Sequence, residues 1–259
     1  MNDVLTLSFC ITCKNRLHQI RQTLKQNLDD NKLHSNFIDF VLVDFCSDDG
    51  LREWIVGNFQ QELSSGLKYY HTIKLPQWHA CVAKNTAHLC AEGDILVNLD
   101  CDNFTGIWGG AYVLRVFARY GLKTVIHQFS EIVGDGSYGR IAVLSKYFHF
   151  VGGYDELSEP MVYQDSDLIK RLVAIGLIYV NYSDTSYNRA IRNKKEEGIS
   201  QSCSPKNYTQ MIESNYNRSL TNLDEGRLIA NNGKFGIYKG LFDHNGQPFY
   251  PNINKYGKL

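Results

Sequence analysis

Strand-like and helix-like segments alternate through the first hundred residues, and no other feature narrows the fold as far. Val4 to Ile11 (VLTLSFCI) is apolar and β-prone, and Leu17, Ile20, Leu24 and Leu28 then recur at helical spacing within Leu17 to Leu28. The pattern returns as Phe37 to Val43 and Leu51 to Phe59, returns again as Leu67 to His71 and Ala80 to Cys90, and closes with a strand from Asp94 to Leu99. Strands alternating with helices build an α/β fold: a Rossmann-like, mostly parallel sheet flanked by helices on both faces. Such sheets bind ligands outside the carboxyl ends of their strands. The loops to search are therefore Thr12-Cys13-Lys14-Asn15-Arg16, the run from Asp44 to Gly50, and Asp100-Cys101-Asp102-Asn103, each polar and each directly after an apolar strand.

The second half is less regular. Arg140 to Leu144 reads as a strand, Ser145 as a helix cap, Gly152 to Asp155 as a turn, Ser166 to Ile175 as a helix and Leu177 to Asn181 as a strand. Beyond Ser200 the chain is rich in Asn and Tyr; Ser204-Pro205 marks a helix start, and glycines punctuate the sequence after Gly226. A length of 259 residues, without repeat or linker, is expected to form one domain with a C-terminal extension.

Charge excludes several classes of function. The 27 Lys and Arg equal the 27 Asp and Glu, so no bulk positive field serves nucleic acid or an acidic surface. No apolar stretch approaches the ~18 residues of a membrane span, and Met1 to Asn15 lacks the three-part form of a secretory leader. A soluble, cytoplasmic protein is expected. Seven cysteines, an odd number without framework spacing, fit free thiols. Cys10 and Cys13 spell a Cys-x-x-Cys, but at the end of a strand rather than the start of a helix, against a redox pair.

The chemistry lies in carboxylates. Asp100 and Asp102 end a buried strand two residues apart, and the period of two aims both at one face while Cys101 points away. Like charges that close repel, and a divalent cation is the usual means of holding them ionised; hard oxygen donors favour magnesium or manganese bridging to phosphates. The alternative is a solvated turn. Asp44 ends the second strand, where a carboxylate can accept from a base N–H or a ribose hydroxyl, whereas Asp48 and Asp49 fit caps of the helix at Leu51. Lys14, Arg16 and Lys84 are cations able to neutralise a diphosphate, or else surface charges.

These segments resemble the family 2 glycosyltransferases of the GT-A fold. Asp44, Ser47, Asp49 and Gly50 match that family's strand-ending aspartate and Ser-x-Asp-Gly turn; Lys84-Asn85, Ala91 to Asp94 and Asp100-Cys101-Asp102 match its helix, strand and Asp-x-Asp. Gly152 to Glu156 and Tyr163 to Leu172 resemble the C-terminal signature of β-galactosyltransferases and related polymerase domains. The resemblance spans about Leu5 to Leu172. It implies a catalytic domain over residues 1–200, with a nucleotide-binding half at 1–103 and an acceptor half at 104–200, and leaves 201–259 as the extension. It further implies an inverting, metal-dependent hexosyltransferase that uses Mn2+ or Mg2+ and a nucleotide-sugar donor, read as UDP-linked from Asp44 and the Asp100/Asp102 pair. A saccharide or glycolipid would accept the sugar, in polysaccharide or lipopolysaccharide synthesis, and the enzyme could work at the inner face of the cell membrane. Donor contacts fall to Thr12, Lys14, Arg16, Asp44, Lys84, Asn85 and Asp100, and metal ligation to Asp102 and Asp100.

Two positions depart from the family pattern. Gln164 stands where a Glu usually precedes the catalytic Asp, and no His lies between His149 and His244 to serve as third metal ligand; Asn188, Asp184 and His244 are the substitutes to consider. For the general base the candidates are Asp165 and Asp167. On a helix Asp165 shares a face with Leu168, Ile169 and Leu172, whereas Asp167 neighbours Lys170 and Arg171 as in a surface salt bridge. The family pattern also puts the base at Asp165.

Other motifs carry less. Gly134 to Gly139 spells a dinucleotide fingerprint, but a strand rather than a helix follows, so a flexible loop is expected. The sequons at Asn103, Asn181, Asn207 and Asn217 read as accidental, the tail aromatics as packing, and Arg189, Arg192, Lys194 and Lys195 as a solvated basic face or a loop that closes on donor phosphates. The competing function is a sugar-nucleotide-binding or scaffold subunit without turnover, which has no need of a base.

Overall fold

The computed structural model describes residues 5–132, 134–182, 184–192 and 200–252. Its centre is a block of four parallel strands in the order β4-β1-β2-β3, formed by β1 (Leu7–Cys13), β2 (Ile38–Phe45), β3 (Leu67–Thr72) and β4 (Ile95–Asn98). The register sets Leu7 opposite Ile38 and Cys13 opposite Asp44, and on the other side Leu7 opposite Ile95 and Cys10 opposite Asn98. The polar residues that end β1, β2 and β4 therefore emerge along one edge.

Both faces are covered, as near-continuous apolar strands require. Phe9, Ile11, Phe40, Leu42 and Val97 pack toward α1 (Leu17–Asn31), α2 (Leu51–Asn58) and a helix absent from the sequence reading, α5 (Gly109–Tyr120). Cys10, Val41, Val43 and Leu96 pack on the opposite face toward α4 (Ala80–Cys90), α6 (Ser145–Phe150) and α7 (Gln164–Ala174). The short α3 (Gln60–Leu63) links α2 to β3.

Beyond this block the sheet is mixed. β6 (Ile141–Leu144) runs antiparallel to β4 and to β5 (Thr124–His127), and β7 (Ile178–Asn181) runs parallel to β5. At the other edge β8 (Leu241–Asp243) lies antiparallel to β3 and carries β9 (Pro248–Phe249). The last fifty described residues thus return to the same nine-stranded sheet, and α8 (Tyr208–Asp224) packs on α7.

Two expected caps are corrected. Ser145 is the first helical residue of α6, and its buried hydroxyl has no hydrogen-bond partner among the described residues. The late helix starts not at Ser204-Pro205 but after Asn207, whose side chain and that of Gln210 form a reciprocal capping box; a capped amide takes precedence over a proline three residues too early. Asn207 is thereby committed. Asn103 is buried as well, so neither sequon offers a free amide. The seven cysteines are free thiols, with Cys10 and Cys13 buried in β1. Among the described residues no helix is long and apolar enough to cross a membrane.

Candidate active site

Thr12, Lys14, Arg16, Lys84, Asp100, Asp102 and Asp165 line one cleft of about 220 Å³ at the carboxyl ends of β1 and β4. A larger cavity of about 450 Å³ lies at the amino ends of the strands, bordered by Ser8, Asp39, Lys68 and Glu92, and includes none of the expected site residues.

Lys84 organises the cleft. It comes from the middle of α4, is buried, and sets Nζ 2.8 Å from Asp165 Oδ1 and 3.7 Å from Asp100 Oδ1, with the Tyr154 ring 5.4 Å away. Burial alone would depress the ammonium's pKa; the two carboxylates outweigh it and raise it, so the side chain is a fixed positive charge. Asp165, near the start of α7, is also buried, and Gln164 Nε2 donates to its second oxygen at 3.1 Å. Burial raises the Asp165 pKa against the pull of Lys84. The carboxylate is enclosed and salt-linked, yet more basic than an ordinary aspartate.

Asp100 is held from behind. Asn98 Nδ2 donates to its Oδ1 at 3.1 Å and to the Gly139 carbonyl at 2.8 Å. A Cβ on Gly139 would stand 2.8 Å from Asp100 Oδ2 and 3.1 Å from Lys84 Nζ, so a side chain there would displace the groups of the cleft. The Gly134 to Gly139 run is thus the back wall of the aspartate site rather than a loop apart from it. Asp102 accepts from Asn103 Nδ2 at 2.5 Å, and burial, reinforced by Asp100, pushes its pKa up to about 6.

A divalent cation fits this pair. Both carboxylates line the cleft, and their mutual repulsion is part of what raises Asp102. Lys84 already shares Asp100, and Asn103 already donates to Asp102. Among the described residues no cluster of three His, Cys, Asp or Glu groups forms, so the remaining positions would fall to phosphate and water, as is common for magnesium. His244 is excluded as a substitute: β8 pairs Leu241 with Thr72 and Asp243 with Tyr70, which carries the chain toward the amino ends of the strands. Asp184 is exposed, and Asn188 is buried with no partner for its amide nitrogen among the described residues.

Other expected residues are engaged within the fold. Asp44 is buried beside the cleft, accepting from Tyr69 Oη at 2.9 Å and from Ser47 N at 3.0 Å, and burial raises its pKa. Lys14 Nζ donates to the carbonyls of Phe45 and Cys46 at 3.0 and 3.2 Å, tying the end of β1 to the end of β2. Asn85 is turned away from the cleft: its amide bonds Tyr154 and Glu156, and a Cβ on Gly153 would strike its oxygen at 2.3 Å. Its place is to hold the Gly152 to Glu156 turn. Asp49 does not cap α2; it accepts from Leu17 N at 2.8 Å and so caps α1, whose own Arg16 gives no side-chain cap.

Asp167 is the largest correction. It is not a surface residue: its Oδ2 accepts from Arg171 Nε at 2.8 Å with both side chains buried, and Arg171 also donates to the carbonyls of Val151 and Gly153. The arginines of the basic run, Arg189 and Arg192, are exposed. Arg189 lies over the Phe104 ring at 4.0 Å, and Ile191 N donates to the Asp102 carbonyl at 2.8 Å, so this segment borders the aspartate turn; Lys194 and Lys195 lie outside the described residues.

Sequence reasoning missed three contributions. Trp78, Met161 and Gln201 wall the cleft, with Trp78 edge-on to Phe45 at 6.1 Å. On α1, Thr23, Asn27 and Asn31 form a buried polar row at i, i+4 and i+8 that bonds Cys101 O, Asn103 O, Thr105 and Gly110 N, pinning the turn after β4. Polar residues four apart on an otherwise apolar helix face were the available signal. The third is Arg140.

Residues 8–105 match the sequence model of the family described as Glycosyl transferase family 2. Comparison with curated proteins finds no match. Among solved structures, the mannosyltransferase PcManGT from Pyrobaculum calidifontis, in complex with GDP-Man and Mn2+, superposes with a TM-score of 0.61 at 13% identity over 88% of this chain and 73% of that one. S. aureus TarS 1–349 in complex with UDP-GlcNAc gives 0.61 at 16% identity over 80% of this chain, which spans 64% of TarS 1–349. The fold is thus the GT-A glycosyltransferase fold.

Proposed function

We propose, from a family 2 segment set in a GT-A fold, that this chain transfers a sugar from a nucleotide-sugar donor, UDP-linked, to a saccharide or glycolipid acceptor with inversion at the anomeric carbon. The observation that carries the reading is the meeting of Asp100, Asp102 and Asp165 around Lys84 in one cleft. That PcManGT holds GDP-Man with Mn2+ and TarS holds UDP-GlcNAc supports a nucleotide-sugar ligand here. In this reading Thr12, Lys14, Arg16 and Asp44 receive the nucleotide. Asp102 is the main ligand of Mn2+ or Mg2+, and Asp100 meets the ribose or a metal-bound water. The cation, when bound, stabilises negative charge on the departing diphosphate.

The protein's own groups do the rest. The acceptor hydroxyl oxygen forms a bond to the anomeric carbon, the bond from that carbon to the diphosphate oxygen breaks, and the hydroxyl proton passes to Asp165. Lys84 and Arg16 face the departing diphosphate as fixed donors. Attack opposite the leaving group makes a β-glycoside from an α-linked donor. The pathway is read as polysaccharide or lipopolysaccharide synthesis, at the inner face of the membrane.

A thermal-shift panel tests the donor and the metal together. UDP with Mn2+ is expected to raise the melting temperature more than GDP or CDP with Mn2+, and more than UDP in excess chelator. In Asp102→Ala the metal-dependent part of the shift should vanish while the unliganded protein still melts cooperatively. A larger shift with GDP replaces the uridine assignment, and an equal shift in chelator removes the metal.

A further inference from the structure

Arg140 and Arg171 are the two largest fully buried side chains. Arg171 has Asp167 against it, whereas among the described residues the hydrogen bonds of Arg140 end on uncharged oxygens. Its guanidinium donates to the carbonyls of Phe104 at 2.9 Å, Tyr187, and Arg189 at 3.4 Å, and to Asn103 Oδ1 at 2.6 Å; Nε is enclosed and has no partner among the described residues. Enclosing a guanidinium with no carboxylate against it is unfavourable unless its charge serves something nearby. The nearby anions are Asp100, Asp102 and Asp135, which interact with it through space, and the first two are the aspartates of the cleft.

Asn103 is the link between them. A guanidinium can only donate, so the amide oxygen must face Arg140, and the amide nitrogen is thereby aimed at Asp102 Oδ1, 2.5 Å away, and at the Gly136 carbonyl at 3.3 Å. The backbone of Asn103 is already held from the other side by Asn27 of α1, whose Nδ2 donates to its carbonyl. What the Arg140–Asn103 link adds is control of one side chain.

On the reading that Asp100 and Asp102 hold a divalent cation, we propose that Arg140 is a positioning residue for that site, fixing the Asp102 carboxylate through Asn103 and holding the two aspartates together by its enclosed positive charge. Outer residues of this kind typically change metal affinity by about 10- to 100-fold when removed.

The test is Mn2+ affinity, read on the full chain from the EPR signal of free Mn2+, with and without UDP. Asn103→Ala is expected to weaken Mn2+ binding by roughly tenfold or more. Asn31→Ala, which cuts bonds to Thr105 Oγ1 and Gly110 N in the same loop but touches neither Asp102 nor Arg140, is expected to lower the melting temperature and leave the affinity near wild type. Wild-type affinity in Asn103→Ala, or an equal loss in Asn31→Ala, overturns the proposal, the second by showing general loosening of the loop. If Asn103→Ala does not fold, Arg140→Lys decides: it keeps the charge but not the fork that reaches Asn103, and unchanged affinity there overturns the proposal as well. Absence of Mn2+ binding in the wild type, with or without UDP, defeats the metal reading itself, and is seen before any variant is made.

Discussion

Replacing Asp165 with asparagine is expected to lower turnover by roughly 10²- to 10⁴-fold, the usual contribution of a positioned base, while leaving nucleotide binding nearly unchanged. The amide keeps the shape of the carboxylate and can still accept from Lys84 Nζ, now 2.8 Å away, but it cannot take a proton. The base must be ionised to act, so kcat/KM should fall as pH drops through its pKa. Burial places that pKa above the ordinary aspartate value of 3.8 despite the Lys84 charge, so the acid limb should lie correspondingly higher. Steady-state rates with a saccharide acceptor, paired with a nucleotide titration, separate the enzyme from a binding subunit. Full turnover in the variant, or a product of retained anomeric configuration by NMR, rejects Asp165 as the base.

The neighbouring carboxylate should fail in a different way. Asp167→Ala is expected to destabilise the fold by about 3 to 5 kcal/mol, because it leaves Arg171 charged and buried with only two carbonyls for partners. Arg171 is 1% exposed and Asp167 4%, so solvent has little access to screen either charge. Urea denaturation measures the effect, and the fraction that folds should keep its turnover, since Asp167 does not line the cleft. A loss below about 1 kcal/mol would mean that the pair behaves as a surface salt bridge after all. Replacing the pair together with apolar residues of similar volume should recover much of the loss, because the penalty lies in the unpaired charge rather than in the missing bond.

The contrast between these two aspartates marks where sequence reasoning ran out. Residues two apart on a helix point nearly opposite ways. The inward direction of Asp165 followed from its spacing to Leu168, Ile169 and Leu172, which left Asp167 for solvent. In the fold α7 is covered on that side too: the carbonyls of Val151 and Gly153 close over Arg171, and α8 packs along the helix. Lys170 and Arg171 look alike in the sequence, yet Arg171 is buried and Lys170 is not.

What the sequence by itself determined was local and periodic. The strand–helix alternation drew the central sheet almost residue for residue, with Ala80–Cys90 and the start at Leu17 matching the observed helices, because burial on one face or two writes its period directly into the chain. The aspartates two apart after β4 were legible for the same reason. Tertiary structure alone decided which charges meet. Lys84 and Asp165 are 81 positions apart, Asn103 and Arg140 are 37 apart, and nothing in either neighbourhood marks the partner. The irregular second half, with its unforeseen α5, β5 and β8, was set by how short segments fit against an existing sheet. A hydrophobic period is a property of neighbours along the chain, whereas the pairing of a buried charge depends on which distant element excludes the water around it.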